Sequence, residues 1–297
     1  MKSPSYTTPD IGTAPINGNG HAPGTLSAPT LPMEHLPLEL EVGTDFDEGR
    51  RGRNYRRANE QMPAVRAHEI SLMLEKVDAQ PGQRILDFGC GTGVLSLPVA
   101  AQVGATGEVV AVEGSKMSAD EMPRGLRDEP NVRLLSLNGD RIDFPSGSVD
   151  TVFTLASLHH VADKVALCRE FYRLLRPGGR LIIGDVADHT TVQRFFDDHI
   201  HAHCSTGHDY RFLDRMDLET ICEFSGIELQ EWGVHSVPWV FEDEAAAGRY
   251  LRMIFDMSCS AEDCLDRAKR YLGYTASLPH FHLFWRLFYF TGIKPMA

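Results

Sequence analysis

Apolar positions along this chain repeat in a pattern of short β-forming runs separated by longer helical stretches, starting at "RILDF". Ile85, Leu86 and Phe88 form the first run, and "GEVVAVEGS", "NVRLLSLNGD", "VDTVFTLASL" and "GGRLIIGDV" supply four more. Leu95, Leu97 and Val99 with Ala100 and Ala101 begin an apolar helix after the first run. "ALCREFYRLL" forms another, which the stop signal Pro177-Gly178-Gly179 ends. Such alternation implies a parallel sheet covered by helices. "DLETICEFSGIELQEWGV" adds a helix and a sixth strand, and Glu242 to Gly273 is helical with a broad apolar face around Tyr250, Leu251 and Ile254. "FHLFWRLFYFTGIK" reads as one final strand. Upstream, Val65, Ile70, Leu72, Met73 and Leu74 predict an amphipathic helix from Met62 to Val77. The expected fold class is α/β: a doubly wound, mostly parallel seven-stranded sheet with helices on both faces and a helical cap insertion between the last two strands. Cap elements are expected at about 189–225 and 242–278.

Residues 1–45 lack that pattern. Their Pro, Gly, Thr, Ser and Asn content cannot bury enough apolar surface to offset ordering, so a disordered tail is expected. Residues 46–82 are expected to hold an N-terminal lid segment and helix, and residues 83–297 the main α/β domain. The cluster Arg50, Arg51, Arg53, Arg56 and Arg57 has two readings, a solvated face or a lid bringing cations to an anionic ligand group. Charge narrows the partners. A formal net charge of −12 argues against broad nucleic-acid binding, which needs a basic footprint. A small-molecule substrate is expected instead. The six cysteines form no CxxC pair, the N-terminus shows no secretory signal, and the most apolar late stretch is too short for a membrane span. A cytoplasmic protein with no membrane partner, monomeric or homodimeric, is the expectation.

Candidate chemistry begins at the strand-to-helix turn that holds Gly89, Gly91 and Gly93. Glycine there permits positive φ and lets a ligand approach the backbone at a helix N-terminus. Ligands of open α/β sheets bind at the carboxyl ends of the strands, beside the topological switch point. Asp87, Glu113 and Asp140 fall at such ends, and Glu113 is spaced to accept both hydroxyls of a ribose. The dinucleotide fingerprint GxGxxG fails, because Val94 stands at its third glycine position.

Taken in order, "ILDFGCGTG", "VVAVEGS", "LNGDRIDFPSGSVDTVFTLASLHHV" and "LLRPGGRLIIGDV" resemble the class I S-adenosylmethionine-dependent methyltransferases, over Gln83 to about Val186. The resemblance implies S-adenosylmethionine as cofactor. It places Gly89, Gly91 and Gly93 around the methionine part, Glu113 on the ribose and Asp140 on the adenine amino group beside the Arg141 backbone. Asp87, Gly114 and Leu155 complete the implied cofactor contacts. Carboxylates suit a ligand that carries a sulfonium and an amine.

Methyl transfer is an in-line displacement, so alignment and water exclusion carry most of it, and a general base helps only where the nucleophile holds a proton. His159 and His160 follow the fourth strand, where the family places substrate, and either suits that base role, with packing as the rival reading. His199 and His203 share a helical face with Val192 and Phe196 after the fifth strand, which predicts a place in the substrate cavity. The same pair could ligate a metal with His208, Cys204 or a histidine of the fourth-strand loop, but the spacing matches no zinc signature, and no metal is expected. Aromatics in "WGVHSVPWVF" and "HFHLFWRLFYF" would wall an apolar or aromatic acceptor. The expected function is S-adenosylmethionine-dependent methyl transfer to such a small molecule, in specialised (secondary) metabolism. The alternative is a cyclase of the same fold, which forms a ring, including within S-adenosylmethionine itself, without methyl transfer. A non-catalytic cofactor-binding partner fits the intact motifs least.

Overall fold

Alternation within the strands sends successive apolar side chains to opposite faces of one sheet, and each face acquires its own core. The computed structural model describes residues 50–113, 124–136, 141–205, 210–277 and 279–296, which all fall within one compact unit, Pro37–Ala297. In chain order the first elements are α1 (Arg50–Gln61), α2 (Ala67–Val77), β1 (Arg84–Phe88), α3 (Ser96–Val103), β2 (Glu108–Glu113), α4 (Arg124–Arg127) and β3 (Val132–Ser136). Next come β4 (Val149–Leu155), α5 (Lys164–Leu174), β5 (Leu175–Asp185), α6 (Thr191–Phe195), α7 (His201–His203) and α8 (Arg215–Ser225). The chain closes with β6 (Glu228–Ser236), β7 (Trp239–Phe241), α9 (Glu244–Ile254), α10 (Ala261–Leu272), β8 (Tyr274–Ser277), β9 (His280–Leu283) and β10 (Arg286–Ile293).

The seven-stranded sheet runs β3-β2-β1-β4-β5-β10-β6, parallel from β3 to β5, with β10 antiparallel to both of its neighbours. Chain order reverses between β1 and β4, so the ligand crevice is expected above these two strands. Ile85, Val109, Phe153, Ile182 and Tyr289 face one core with Met73 of α2, Val99 of α3 and Tyr250 of α9. Their neighbours Leu86, Val110, Val152, Leu181 and Phe288 face the other core, with Phe171 of α5 and Ile221 of α8. One period-2 pattern thereby builds a three-layer molecule.

Several elements differ from expectation. The arginine cluster is itself a helix, α1, and α2 starts at Ala67 rather than Met62. Pro63 separates the two, because the residue before a proline is pushed out of the helical region. α5 stops at Leu174, and Arg176–Gly179 bulges from β5: Val149 pairs with Leu175 while Thr151 pairs with Arg180. The insertion between β6 and β10 is only partly helical, since α9 and α10 are joined by a three-stranded sheet, β7-β9-β8. The stretch read as one last strand therefore splits into β9 and β10. α8, placed by expectation in the cap, packs instead beside α5 against the sheet. Among the described residues no helix is long and apolar enough to cross a membrane. The expected tail, residues 1–45, lies outside the described residues, as do the first four residues of the expected lid segment.

Candidate active site

Register brings four strand ends together. Asp87 pairs with Ala111 and Phe153, Glu113 lies one residue past the Phe88–Val112 pair, and Leu155 pairs with Gly184, next to Asp185. Above them the chain after β1 turns sharply. Gly89 N and Cys90 N both donate to the Val112 carbonyl at 2.8 and 3.2 Å, which ties the turn to the end of β2. Gly89 has φ +73, and a Cβ there would lie 2.2 Å from Ser157 Oγ, so only glycine fits. Gly91 N donates to Glu113 Oε2 at 2.8 Å. One carboxylate thus shapes the glycine turn, with acceptor capacity beyond that single amide. Gly93 has φ +76 but packs against Leu126 and does not reach the cavity.

Asp87 is buried and accepts from the Ser96 hydroxyl at 2.6 Å. Burial pushes its carboxyl up to about 7, against the Ser96 bond that favours the anion, and the nearby Glu113 charge adds to the rise. Opposite, the backbone leaving β4 is strained: Ala156 has φ +53, and its N–H donates to the Gly184 carbonyl at 2.8 Å. That turn delivers a short 3-10 segment, Leu158–His160. His159 Nδ1 lies 2.7 Å from Asp185 Oδ1, and the His159 backbone N–H donates to Asp185 Oδ2 at 3.1 Å. Because a carboxylate only accepts, Nδ1 carries the ring proton and Nε2 is left as the basic nitrogen. His160 packs against His159 with ring centroids 4.1 Å apart and the rings tilted at 45°, and both line the cavity.

A single cavity joins these parts to the cap. Its space, open mouth included, is about 1540 Å³. One end holds Asp87, Gly89, Gly91, Glu113 and Leu155, and the other holds Phe196, Trp239, Phe255 and Trp285. Trp239 and Trp285 stack at 4.2 Å and 17°. α1 contributes Arg51, Tyr55 and Arg56 to the cavity lining. Its seat is specific: Arg50 and Asn54 both donate to Asp256, at 2.9 and 2.7 Å, and Arg66 donates to Tyr55 Oη at 2.7 Å and ion-pairs with Glu69. Glu69 also accepts from Trp239 Nε1 at 3.1 Å, which links this roof to the aromatic wall.

The family model described as "Methyltransferase domain" matches residues 85–179. A protein described as an uncharacterized 37.1 kDa protein in transposon TN4556 of Streptomyces fradiae is 34% identical over 41% of this chain and 35% of its own length. A demethylmenaquinone methyltransferase of Geobacillus sp. is 30% identical over 40% of this chain and 52% of its own length. The chain thus spans about half or less of these curated relatives. The crystal structure of YcgJ from Bacillus subtilis superposes with a TM-score of 0.58, at 19% identity, over 78% of this chain and all of that one. Residues 85–179 are a methyltransferase domain.

Within this methyltransferase domain the donors and acceptors suit S-adenosylmethionine. Gly89 opens the backbone for close approach, the Glu113 carboxylate stands at the end of β2, and a buried acid with a raised pKa waits beneath the turn for a cation. Gly114 and Asp140, both expected at the cofactor, lie outside the described residues. Arg141 is exposed and is not among the residues lining the cavity.

His199 and His203 correct the expectation more plainly, since neither lines the cavity. A π-turn over Phe196–Ile200 interrupts the helix, and its wider winding carries His199 further round from Phe196 than an α-turn would. Phe196 faces the cavity while His199 packs behind it. Burial lowers the His199 imidazole to about 4, and the neighbouring His203 and Arg267 lower it further than Asp263 raises it. The partners foreseen for a metal are also rearranged: Cys204 forms a backbone bridge to Met257, and His208 lies outside the described residues. Of the expected aromatic wall only Trp239 and Trp285 reach the cavity. Trp232 packs on Phe288 on the far face. Sequence reasoning missed Asp185, Ala156, Phe255 and the α1 contacts. "GDV" at the end of a strand was a signal for Asp185, whereas nothing in the sequence marks the positive φ of Ala156.

Proposed function

We propose that the protein transfers a methyl group from S-adenosylmethionine to a small-molecule acceptor of apolar or aromatic character, in specialised metabolism. The observation that carries this reading is the continuity of one cavity from the glycine turn and Glu113, past the His159–Asp185 pair, to the stacked Trp239 and Trp285. The name of the Geobacillus relative, with its small-molecule acceptor, supports it. When bound, the cofactor supplies a methyl group made electrophilic by its sulfonium.

The chain's own residues do the rest. Glu113 accepts from the ribose hydroxyls, and Asp87 offers a carboxylate to the cationic end. The tryptophan pair and Phe196 seat the acceptor's apolar body, and burial against them removes water from the transfer path. His159 takes the acceptor's proton at Nε2, while Asp185 fixes the ring through Nδ1. α1 closes the mouth, as the lid reading of the arginine cluster requires. The protein works in the cytoplasm as a monomer or homodimer.

Incubation of the purified protein with methyl-labelled S-adenosylmethionine and a panel of phenols, aromatic acids and quinone precursors tests the reading. Expected is S-adenosylhomocysteine in equal amount to a labelled, methylated product. Methylthioadenosine, or a ring-closed product formed without S-adenosylhomocysteine, would replace this reading by the cyclase.

A further inference from the structure

Behind the aromatic wall lies a cluster of ligating side chains that methyl transfer does not use. His199, in the π-turn, meets Cys259 and Cys264, which flank Ser260, the N-cap of α10. One ligand atom from each, taken together, all lie within 4.8 Å of one another. Cys259 Sγ is 3.2 Å from Cys264 Sγ and 3.9 Å from His199 Nε2. A tetrahedral ion bound at ~2.3 Å to sulfur and ~2.0 Å to nitrogen sets its ligand atoms about 3.5–3.8 Å apart. These two separations bracket that range, and the third pair, His199 with Cys264, closes to it from within 4.8 Å by side-chain rotations that move the ligand atoms about 1 Å. A disulfide would instead require the sulfurs to approach to about 2.05 Å and would give His199 no part.

The backbone holds the ligand carriers together independently of any ion. Ser258 N donates to the His203 carbonyl at 2.8 Å, and Cys204 bridges Met257. His199 and Cys264 are buried and Cys259 is half-buried, so the cluster is shielded but reachable from one side. Ligands of mixed sulfur and nitrogen select soft or borderline ions over magnesium and calcium.

We propose that His199, Cys259 and Cys264 bind one thiolate-preferring metal ion of the zinc class, contrary to the expectation from sequence that no metal is held. Its fourth position is taken by water or by His203, whose ring centroid lies 4.8 Å from that of His199. None of the three ligands lines the cavity, so the ion is structural. It cross-links the turn that carries Phe196 to the α9–α10 corner that carries Phe255, two walls of the acceptor end. Binding deprotonates both thiols and leaves the imidazole neutral, so two protons pass to the buffer for each divalent ion.

The test is cobalt(II) and zinc(II) titration of the reduced full-length protein under anaerobic conditions. Expected are one cobalt per chain with thiolate charge-transfer and tetrahedral d–d absorption, displacement by zinc, and release of two protons per zinc by calorimetry in buffers of different ionisation enthalpy. Zinc should raise the wild-type melting temperature and leave that of Cys259→Ser unchanged. Cys259→Ser and His199→Gln should each weaken cobalt binding by on the order of a hundredfold or more, since even loss of a supporting partner costs 10–100-fold. Unchanged S-adenosylmethionine affinity in both variants would establish that they fold. Absence of the cobalt bands, bands unaltered by His199→Gln, or a Cys259–Cys264 disulfide that re-forms in the presence of zinc would each overturn the site.

Discussion

At the scale of single residues, three acidic groups divide the work of the crevice, and their surroundings say how. Asp87 carries the largest electrostatic cost: a rise from 3.8 to about 7 corresponds to roughly 4 kcal/mol for holding the ionised form in the fold. Its pKa is higher folded than unfolded, so no penalty exists below pH 3.8, and the penalty grows as pH rises and is complete above about 7. Asp87→Asn should therefore stabilise the cofactor-free protein at pH 8 and leave it little changed at pH 4, as read by urea unfolding at both values. Its S-adenosylmethionine affinity should fall, because the amide offers the cation no charge. Glu113 is exposed to the opposite test. If Glu113 accepts from both ribose hydroxyls as proposed, Glu113→Ala should cost roughly 2–4 kcal/mol, or about thirtyfold to a thousandfold in affinity by calorimetry. Because Glu113 also accepts from Gly91 N, part of this loss reflects the turn relaxing. Asp185 never meets the acceptor in this scheme and acts as a positioning residue for His159. Asp185→Asn should lower kcat by one to a few orders of magnitude and displace the pH–rate profile, with cofactor affinity retained. An unchanged pH profile would reduce Asp185 to a packing role.

At the scale of elements, α1 carries the arginine cluster with its two sequence readings, solvated face and lid. Arg51 is buried at 2% exposure in the cavity wall, whereas Arg53 and Arg57 lie on the outer side of the same helix. One helix thus presents both an exposed face and a cavity-lining face, as 3.6-residue winding allows. Deleting residues 1–37 should leave folding and cofactor binding intact, because that composition makes no core. Deletion through Arg57 removes Tyr55, the partner of Arg66, together with the Arg50 and Asn54 bonds to Asp256, and should weaken turnover. Equal turnover in the two truncations would leave α1 without a closing role. The boundary between α1 and α2 was legible in Pro63, although the hydrophobic spacing alone ran past it. The division of β9 from β10 was not. No glycine or proline marks it, and it arises where Trp285 stacks on Trp239 and its carbonyl accepts from Val237 N at 2.9 Å. The π-turn at Phe196 was equally hidden, since an i,i+4 pattern of histidines and aromatics reads as ordinary helix until its packing partners are known.

At the scale of the molecule, two main cores back one sheet, and the cavity takes most of its apolar lining from the core beneath the cap and only Phe88 from the other. Phe171, fully buried on the far face against Phe88, should cost about 3–5 kcal/mol as Phe171→Ala while leaving cofactor affinity under native conditions nearly unchanged. A parallel loss of affinity would show that the two faces are coupled through β1. The division between sequence and structure follows the same line. The succession of strands and helices in the parallel half, the glycine turn, Glu113 at the end of β2 and the histidine pair after β4 were all determined locally. Each depends on a residue's own conformational range, or on a two-residue period that permits only one buried face. What lies across the cavity was decided by tertiary packing alone. Which aromatics face inward, the pairing of His159 with Asp185, 26 positions away, and the meeting of His199 with two cysteines some 60 positions further on depend on how the β6–β10 insertion folds back over the crevice. That fold is fixed by contacts between distant segments, such as Trp239 on Trp285 and Glu69 on Trp239, and no local period encodes them.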